Sequence, residues 1–344
     1  MSRTDDIIDK TKRKEPDAKK WKVVVGIVMG LVLACGLLLG FYCLSDVDTY
    51  IYAEKEILHL YEFYDEFDGE NSTSVFFIGS SSIGEAVYPP EINRILLDNG
   101  HNISTYNLVV FGDYPILRST QVQNIIDAHP SLVVYGVTYR DLASENGWVG
   151  EKVILVHDSL NLRDDSLYLY SNDEIDDLNQ EDDFGFKKKF MLNALRYRFL
   201  EDTSYNTLDY FNDPYGDIAR RIYEADKDFQ SILDGAEDEN NEWRPIVPKE
   251  SGQKEPFLYI IRTLTEAGIP VVLTNQPLHP LYSEKITSES RENYYNIFND
   301  SGVVWYDFET IFGDEYFRDS HHLSWNGSLM FAPIMVDLII QELS

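Results

Sequence analysis

From residue 74 onward the chain alternates short β-rich runs with longer stretches of helical periodicity. The run "SVFFIG" predicts a strand, followed by a helix over 90–97 that stops at Asn99-Gly100. "STYNLVV" predicts a second strand, followed by a helix over 116–128, and "SLVVYG" at 131–136 a third. Further on, "EPFLYIIRTLTEAG" predicts a helix over 256–268 that feeds a fourth strand, "IPVVLTN", at 269–275. "GVVWYDF" predicts the fifth strand, and "SLMFAPIMVDLIIQEL" a closing helix. Apolar strands separated by helices predict an α/β fold, a five-stranded parallel sheet covered on both faces. Ligands of such sheets bind beyond the carboxyl ends of the strands. "GSSS", at 79–82, stands at one of those ends.

Residues 142–255, between the third and fourth strands, are far more than one crossover requires and predict a helical insertion. Its acidic run, "SNDEIDDLNQEDDFG", lacks the residue order of an EF-hand loop and reads as a solvated surface. Leaving from the carboxyl edge of the sheet, the insertion is placed to serve as a lid or substrate wall.

The amino-terminal part has a different pattern. Residues 23–44 carry no charge, and about 20 apolar residues suffice to cross a hydrocarbon core. Eight Lys and Arg residues precede this run, while Asp46, Asp48, Glu54 and Glu56 follow it. That asymmetry predicts a single-pass membrane anchor with residues 1–22 as a cytoplasmic tail and the large domain outside. Residues 45–73 have apolar and aromatic positions at helical spacing and predict a stalk, leaving 74–344 as the domain. Gly26, Gly30, Gly36 and Gly40 form two GxxxG spacings, which suit a homodimer through the span. Both cysteines, Cys35 and Cys43, fall inside the span, so the domain has none with which to form a disulfide.

Charge narrows the classes of partner. The formal charge of −30 excludes nucleic acid, which requires clustered Lys and Arg.

A serine at a strand end becomes a nucleophile only beside a base that a third group orients. "YFRDSHHLSWNGS" supplies candidates: Asp319 and His322 are three apart, so one tight loop can present both, with His321 the alternative member of the doublet. This loop follows the last strand and opens at the edge where the serines lie. Adjacent histidines point apart on most backbones, so a metal set of Asp319, His321 and His322 is not expected. His279, after the fourth strand, is a candidate substrate contact.

The combination of "IGSSS", "VVFGD" and "DSHHLSWNG" in this order resembles the SGNH, or GDSL-type, hydrolases, over about residues 74–141 and 256–340. The resemblance implies a flavodoxin-like three-layer α/β/α sandwich. It makes Ser81 the nucleophile, His322 the base and Asp319 the orienting acid, with Ser80 where the family usually has aspartate. Gly327 matches the family's downstream glycine. It implies an oxyanion hole from the N–H groups of Ser81 and Gly112. The family's third block usually adds an asparagine; here Gly136 matches the block's glycine and Thr138 stands in the asparagine's place. Thr138 and Tyr139 are the candidate replacements, and Tyr139 is also a candidate substrate contact. An anchor followed by an SGNH domain with "GSS" is similar to proteins that assist acylation of surface polymers, such as the D-alanyl transfer protein of teichoic acid synthesis and alginate O-acetylation proteins. The resemblance therefore implies an esterase or O-acyltransferase acting on acyl esters, acetyl above all, of a surface glycan, needing no metal or organic cofactor, beside a multi-span membrane O-acyltransferase. The departure at Thr138 implies a second function, a catalytically inactive glycan-binding or scaffold subunit of such an assembly.

Overall fold

The computed structural model describes residues 18–44, 60, 63–64, 66–67, 69, 72–110, 113–143 and 246–344 and, within 18–44, the side chains of 21–36. The chain divides into two compact units, Met1–Asp46 and Val47–Ser344. The first holds helix α1, Ala18–Leu44. Among the described residues no helix is long and apolar enough to cross a membrane. The uncharged run of 23–44 continues past residue 36, where the description of its side chains ends.

In the second unit, β1 (Thr73–Gly79) leads into α2 (Ser81–Ala86) and α3 (Pro89–Asp98). Then come β2 (Ile103–Asn107), α4 (Pro115–Ser119), α5 (Val122–Ala128), β3 (Leu132–Val137) and α6 (Tyr139–Ala143). After the insertion, α7 (Lys254–Glu266) feeds β4 (Val271–Asn275), followed by α8 (Pro280–Ser283), α9 (Ser288–Asp300), β5 (Trp305–Asp307) and α10 (Trp325–Leu343). All five strands are parallel, in the order β2-β1-β3-β4-β5, a doubly wound arrangement.

Side chains that alternate along each strand sort into two cores. Phe76 and Ile78 of β1, with Val133 and Tyr135 of β3, face Ile125 of α5, Phe257, Ile260 and Leu264 of α7, and Tyr294 and Phe298 of α9. Val75 and Phe77, with Leu132 and Val134, face Ile83 of α2, Ile92 and Leu96 of α3, and Phe331, Met335 and Ile339 of α10. Burying each such side chain stabilises the fold by about 1.5–3 kcal/mol. Phe63 and Phe67, from the stretch predicted as a stalk, pack edge-on or tilted against Phe76 and Tyr106 with ring centroids 5.0–5.5 Å apart. Leu60, Phe63 and Tyr64 are buried, so the packed domain takes in residues ahead of its first strand.

Three local differences from the sequence pattern have physical causes. The helix expected over 116–128 is two helices. The Ser119 and Thr120 hydroxyls donate to the carbonyls of Ile116 and Leu117, each at 2.7 Å, and the first helix ends there. The fifth strand keeps only three residues, since it lies at the sheet edge and pairs with β4 alone. Helix α9 was not anticipated because its sequence, "SESRENYYNIFND", is largely polar; it buries Ser290, Tyr294, Ile297 and Phe298 along one face. Thr287 caps it by accepting from the Ser290 N–H.

Under the carboxyl ends of β1 and β2 lies a fully buried guanidinium. Arg118 donates to Asp113 Oδ2 at 2.7 Å, to the Leu108 carbonyl at 3.1 Å, to Gln121 at 2.7 Å and to the Gly79 carbonyl at 3.3 Å. It thereby joins the last residue of β1 to the chain leaving β2. Arg118→Met leaves the Asp113 carboxylate buried and unpaired, and is expected to destabilise the protein by about 3–5 kcal/mol. Urea unfolding of the purified chain measures the loss, and adding Asp113→Leu should restore most of it.

Candidate functional site

Gly79 and Gly136 are paired across β1 and β3 at the carboxyl edge. A Cβ on Gly79 would stand 2.2 Å from the Gly136 carbonyl oxygen, and its φ of +134° lies where side chains are strained. A Cβ on Gly136 would stand 2.5 Å from Ile83 and 2.7 Å from Gln276. Without these side chains, α2 starts directly over the sheet edge with Ile83 seated against β3.

The three serines then take three different places. Ser80, the residue before the helix, donates its hydroxyl to Asp141 Oδ2 at 3.1 Å. Ser82 is buried and its hydroxyl has no hydrogen-bond partner. Ser81, the first residue of α2, points its Oγ at His322 Nε2, 2.9 Å away across 241 residues of sequence.

His322 reaches that place from a tight hairpin. Phe317 and Leu323 form an antiparallel bridge, and the Arg318 N–H donates to the His322 carbonyl at 3.0 Å. Asp319 organises the turn inside it. Its Oδ1 accepts the N–H groups of His321 and His322 at 3.0 and 2.9 Å, while Oδ2 takes His322 Nδ1 at 2.7 Å. A carboxylate only accepts, so Nδ1 carries the proton and Nε2 is left to accept from Ser81. Burial works against the charge on Asp319, but the hydrogen bond and charge of His322, with His321, hold its carboxyl well below the usual range.

This arrangement can do definite chemistry. A hydroxyl, an imidazole in the accepting tautomer and an orienting carboxylate stand within hydrogen-bonding reach of one another, the geometry by which serine is made nucleophilic. As the first residue of a helix, Ser81 also has an N–H with no intrahelical acceptor.

The other candidates fall out differently. Gly112 lies outside the described residues. The N–H and hydroxyl of Thr138 both donate to Asp141 Oδ2, at 2.8 and 3.0 Å, so Thr138 does not face the reacting atoms with a donor to spare. Tyr139 is fully buried: its hydroxyl donates to Glu309 at 2.8 Å and its ring stacks on Tyr294, which removes it as a substrate contact. His279 is 2% exposed, caps α8 by accepting from the Leu281 N–H, and packs its ring on Phe317. It shores the hairpin from behind instead of reaching the crevice.

The histidine doublet also departs from expectation. The rings of His321 and His322 lie against each other, centroids 4.0 Å apart and planes tilted by 41°, instead of diverging. One ligand atom from each, with one from Asp319, falls within 4.8 Å of the others. A divalent ion there would compete for the Asp319 oxygens that now hold the His322 ring and two amides. His321 itself bonds Ser320 Oγ at 2.8 Å, and burial, with the neighbouring His322, pushes it well below the usual imidazole range.

Asp141 is the residue that sequence reasoning missed. It gathers Ser80 and Thr138 on one oxygen, tying the turn ahead of α2 to the end of β3, and burial raises its carboxyl above the ordinary range. Its signal was local: a carboxylate three residues after Thr138, the capping-box spacing at which a side chain reaches back to the N–H of the residue ahead of a helix. Asp141→Ala strands three donors and is expected to cost about 2 kcal/mol or more, with Asp141→Asn milder. Urea midpoints of the two variants measure the difference.

Residues 253–344 match the model of an uncharacterised protein family, a stretch that holds Asp319 and His322 but not Ser81. The chain matches no curated protein.

Proposed function

We propose that this protein is a membrane-anchored SGNH-type serine esterase or O-acyltransferase acting on acyl esters, acetyl above all, of a cell-surface glycan. The observation that carries this reading is the Ser81–His322–Asp319 chain of hydrogen bonds, 2.9 and 2.7 Å long. The β2-β1-β3-β4-β5 order, with helices on both faces, supports a flavodoxin-like sandwich.

In this mechanism Ser81 Oγ attacks the acyl carbonyl carbon while His322 Nε2 takes its proton. The imidazolium is stabilised by Asp319, whose carboxyl, against the effect of burial, is held well below the usual range by the His322 hydrogen bond. The N–H groups of Ser81 and Gly112 hold the developing oxyanion. Collapse expels the alcohol, which receives the proton from His322 and leaves an acyl-serine. Water or a glycan hydroxyl, deprotonated by the same imidazole, then takes the acyl group. Neither a metal nor an organic cofactor is assigned a step.

The uncharged residues 23–44, the basic segment ahead of them and the acidic one behind support an anchor with its amino terminus in the cytoplasm and the domain outside. A multi-span membrane O-acyltransferase is the partner this placement fits. One observation favours a second reading, a non-catalytic scaffold or glycan-binding subunit: Thr138 binds Asp141 and supplies no third oxyanion donor.

A fluorophosphonate probe tests the nucleophile. Ser81 is expected to be labelled, and Ser81→Ala and His322→Ala to lose labelling. Absence of label on the wild-type chain, under conditions that label a known serine esterase, sinks the enzyme reading in favour of the scaffold. Asp319→Asn, which removes the charge and favours the wrong tautomer, is expected to lower turnover of a small acetyl ester about 10⁴-fold.

A further inference from the structure

Ser81 and Glu85 are four residues apart on α2 and so lie on one face of it. From Ser81, polar contacts run to His322 at 2.9 Å and to Asp319 at 2.7 Å. They continue from Asp319 to Arg318 Nε at 3.7 Å, and from Arg318 Nη2 to Glu85 Oε1 at 2.5 Å. The path therefore returns to the helix it left. Ser81 and Glu85 come from α2, and His322, Asp319 and Arg318 from the hairpin more than 230 residues later.

We propose that Glu85 and Arg318 are positioning residues: they clamp the hairpin to the nucleophile's helix and, by their opposite charges, set how tightly His322 holds a proton. This rests on the esterase reading only for its consequence in catalysis.

Two features give Glu85 this role. Its side chain is 7% exposed, and its second oxygen, Oε2, is buried with no hydrogen-bond partner, so its charge is poorly screened. The groups whose charge acts on Glu85 all belong to the hairpin: His322, Arg318 and Asp319. Burial raises the Glu85 carboxyl, and His322 and Arg318 oppose that rise. An imidazolium formed at His322 has the Asp319 carboxylate at Nδ1, and Glu85, four residues from Ser81 and paired with the Arg318 that touches Asp319, brings a second carboxylate to the same centre. Arg318 moderates both. The remaining groups near this centre are His321, against the His322 ring, with Arg140 of α6 and the Tyr282 ring of α8 acting on His321. Neither of these last two belongs to the closed path.

The test is a histidine NMR titration of the full chain, with the His322 signal assigned by its loss in His322→Asn. Glu85→Gln removes a negative charge and is expected to move the His322 protonation midpoint down by about half a pH unit or more. Arg318→Gln removes a positive charge and should move it up by a similar amount. Glu85→Asp, which keeps the charge but draws it back by one methylene, provides a variant less prone to unfold; it should move the midpoint down by less. Midpoints that stay put, or that move the same way in Glu85→Gln and Arg318→Gln, overturn the proposal. None of these readouts requires turnover, so the esterase reading stands or falls separately, on labelling of Ser81.

Discussion

Everything at the carboxyl edge depends on how closely two strand ends approach. Gly79 and Gly136 face each other with no room for a methyl group between one and the other's carbonyl. That approach lets α2 begin over the sheet, which places Ser81 at the first helical position with its hydroxyl free of the strand ladder. A side chain at either glycine would have to displace backbone, Ile83 or Gln276. The turn from Gly79 into α2 is therefore fixed from below by covalent geometry before any hydrogen bond is counted. Arg118 then holds the Gly79 carbonyl from one side, and Asp141 holds Ser80 from the other.

The same edge collects buried charge in a chain whose surface is strongly acidic. Asp113, Asp141, Glu85 and Glu309 are all buried; Arg118 bonds Asp113 from five residues on, and donors from distant segments reach the other three. Glu309 accepts from Tyr139, and from Arg291 at 2.6 Å, which locks α6 and α9 beneath the loop after β5. Such groups contribute little net stability, because desolvation offsets most of their attraction. What they fix is position, since Asp141, Glu85 and Glu309 each accept from a residue distant in sequence and do so only when the two segments are in register. The hairpin follows this logic with a single carboxylate: one oxygen of Asp319 shapes the turn and the other aims the ring.

The layered fold was legible because apolar periodicity reports burial directly: a strand buried on both faces is apolar throughout, as in "SVFFIG" and "SLVVYG". That Asp319 and His322 would meet a serine of "GSSS" was legible because all lie just beyond strand ends on one edge; residue type alone did not separate Ser81 from its neighbours, and the resemblance singled it out. Residues whose role is set by a distant partner were not. Tyr139 and His279 stand at strand ends and have polar groups, which made them look like substrate contacts. Whether a polar group at a strand end faces solvent or the interior is decided by Glu309 in one case and by the α8 backbone in the other. Asp141 was overlooked for a related reason. A carboxylate expected next to the nucleophile in sequence is supplied next to it in space, from beyond β3.

The insertion between β3 and β4 shows how the domain accommodates a large addition beside its site. Just before residue 144 and just after 245, the chain is tied across the gap: Ser251 Oγ donates to the Leu142 carbonyl at 2.6 Å. Gln253, two residues later, accepts from the Ile116 N–H at 3.1 Å, which anchors the returning strand of chain to α4. Entry and exit are thus neighbours, and the entropy of closing a loop rises only slowly with its length. The neck opens beside α6, whose Asp141 holds Ser80 and Thr138 in place. The tie from Ser251 thus meets the chain at Leu142, one residue from the carboxylate that holds the turn ahead of α2, so the closure of the neck and the placing of Ser81 draw on the same short stretch after β3.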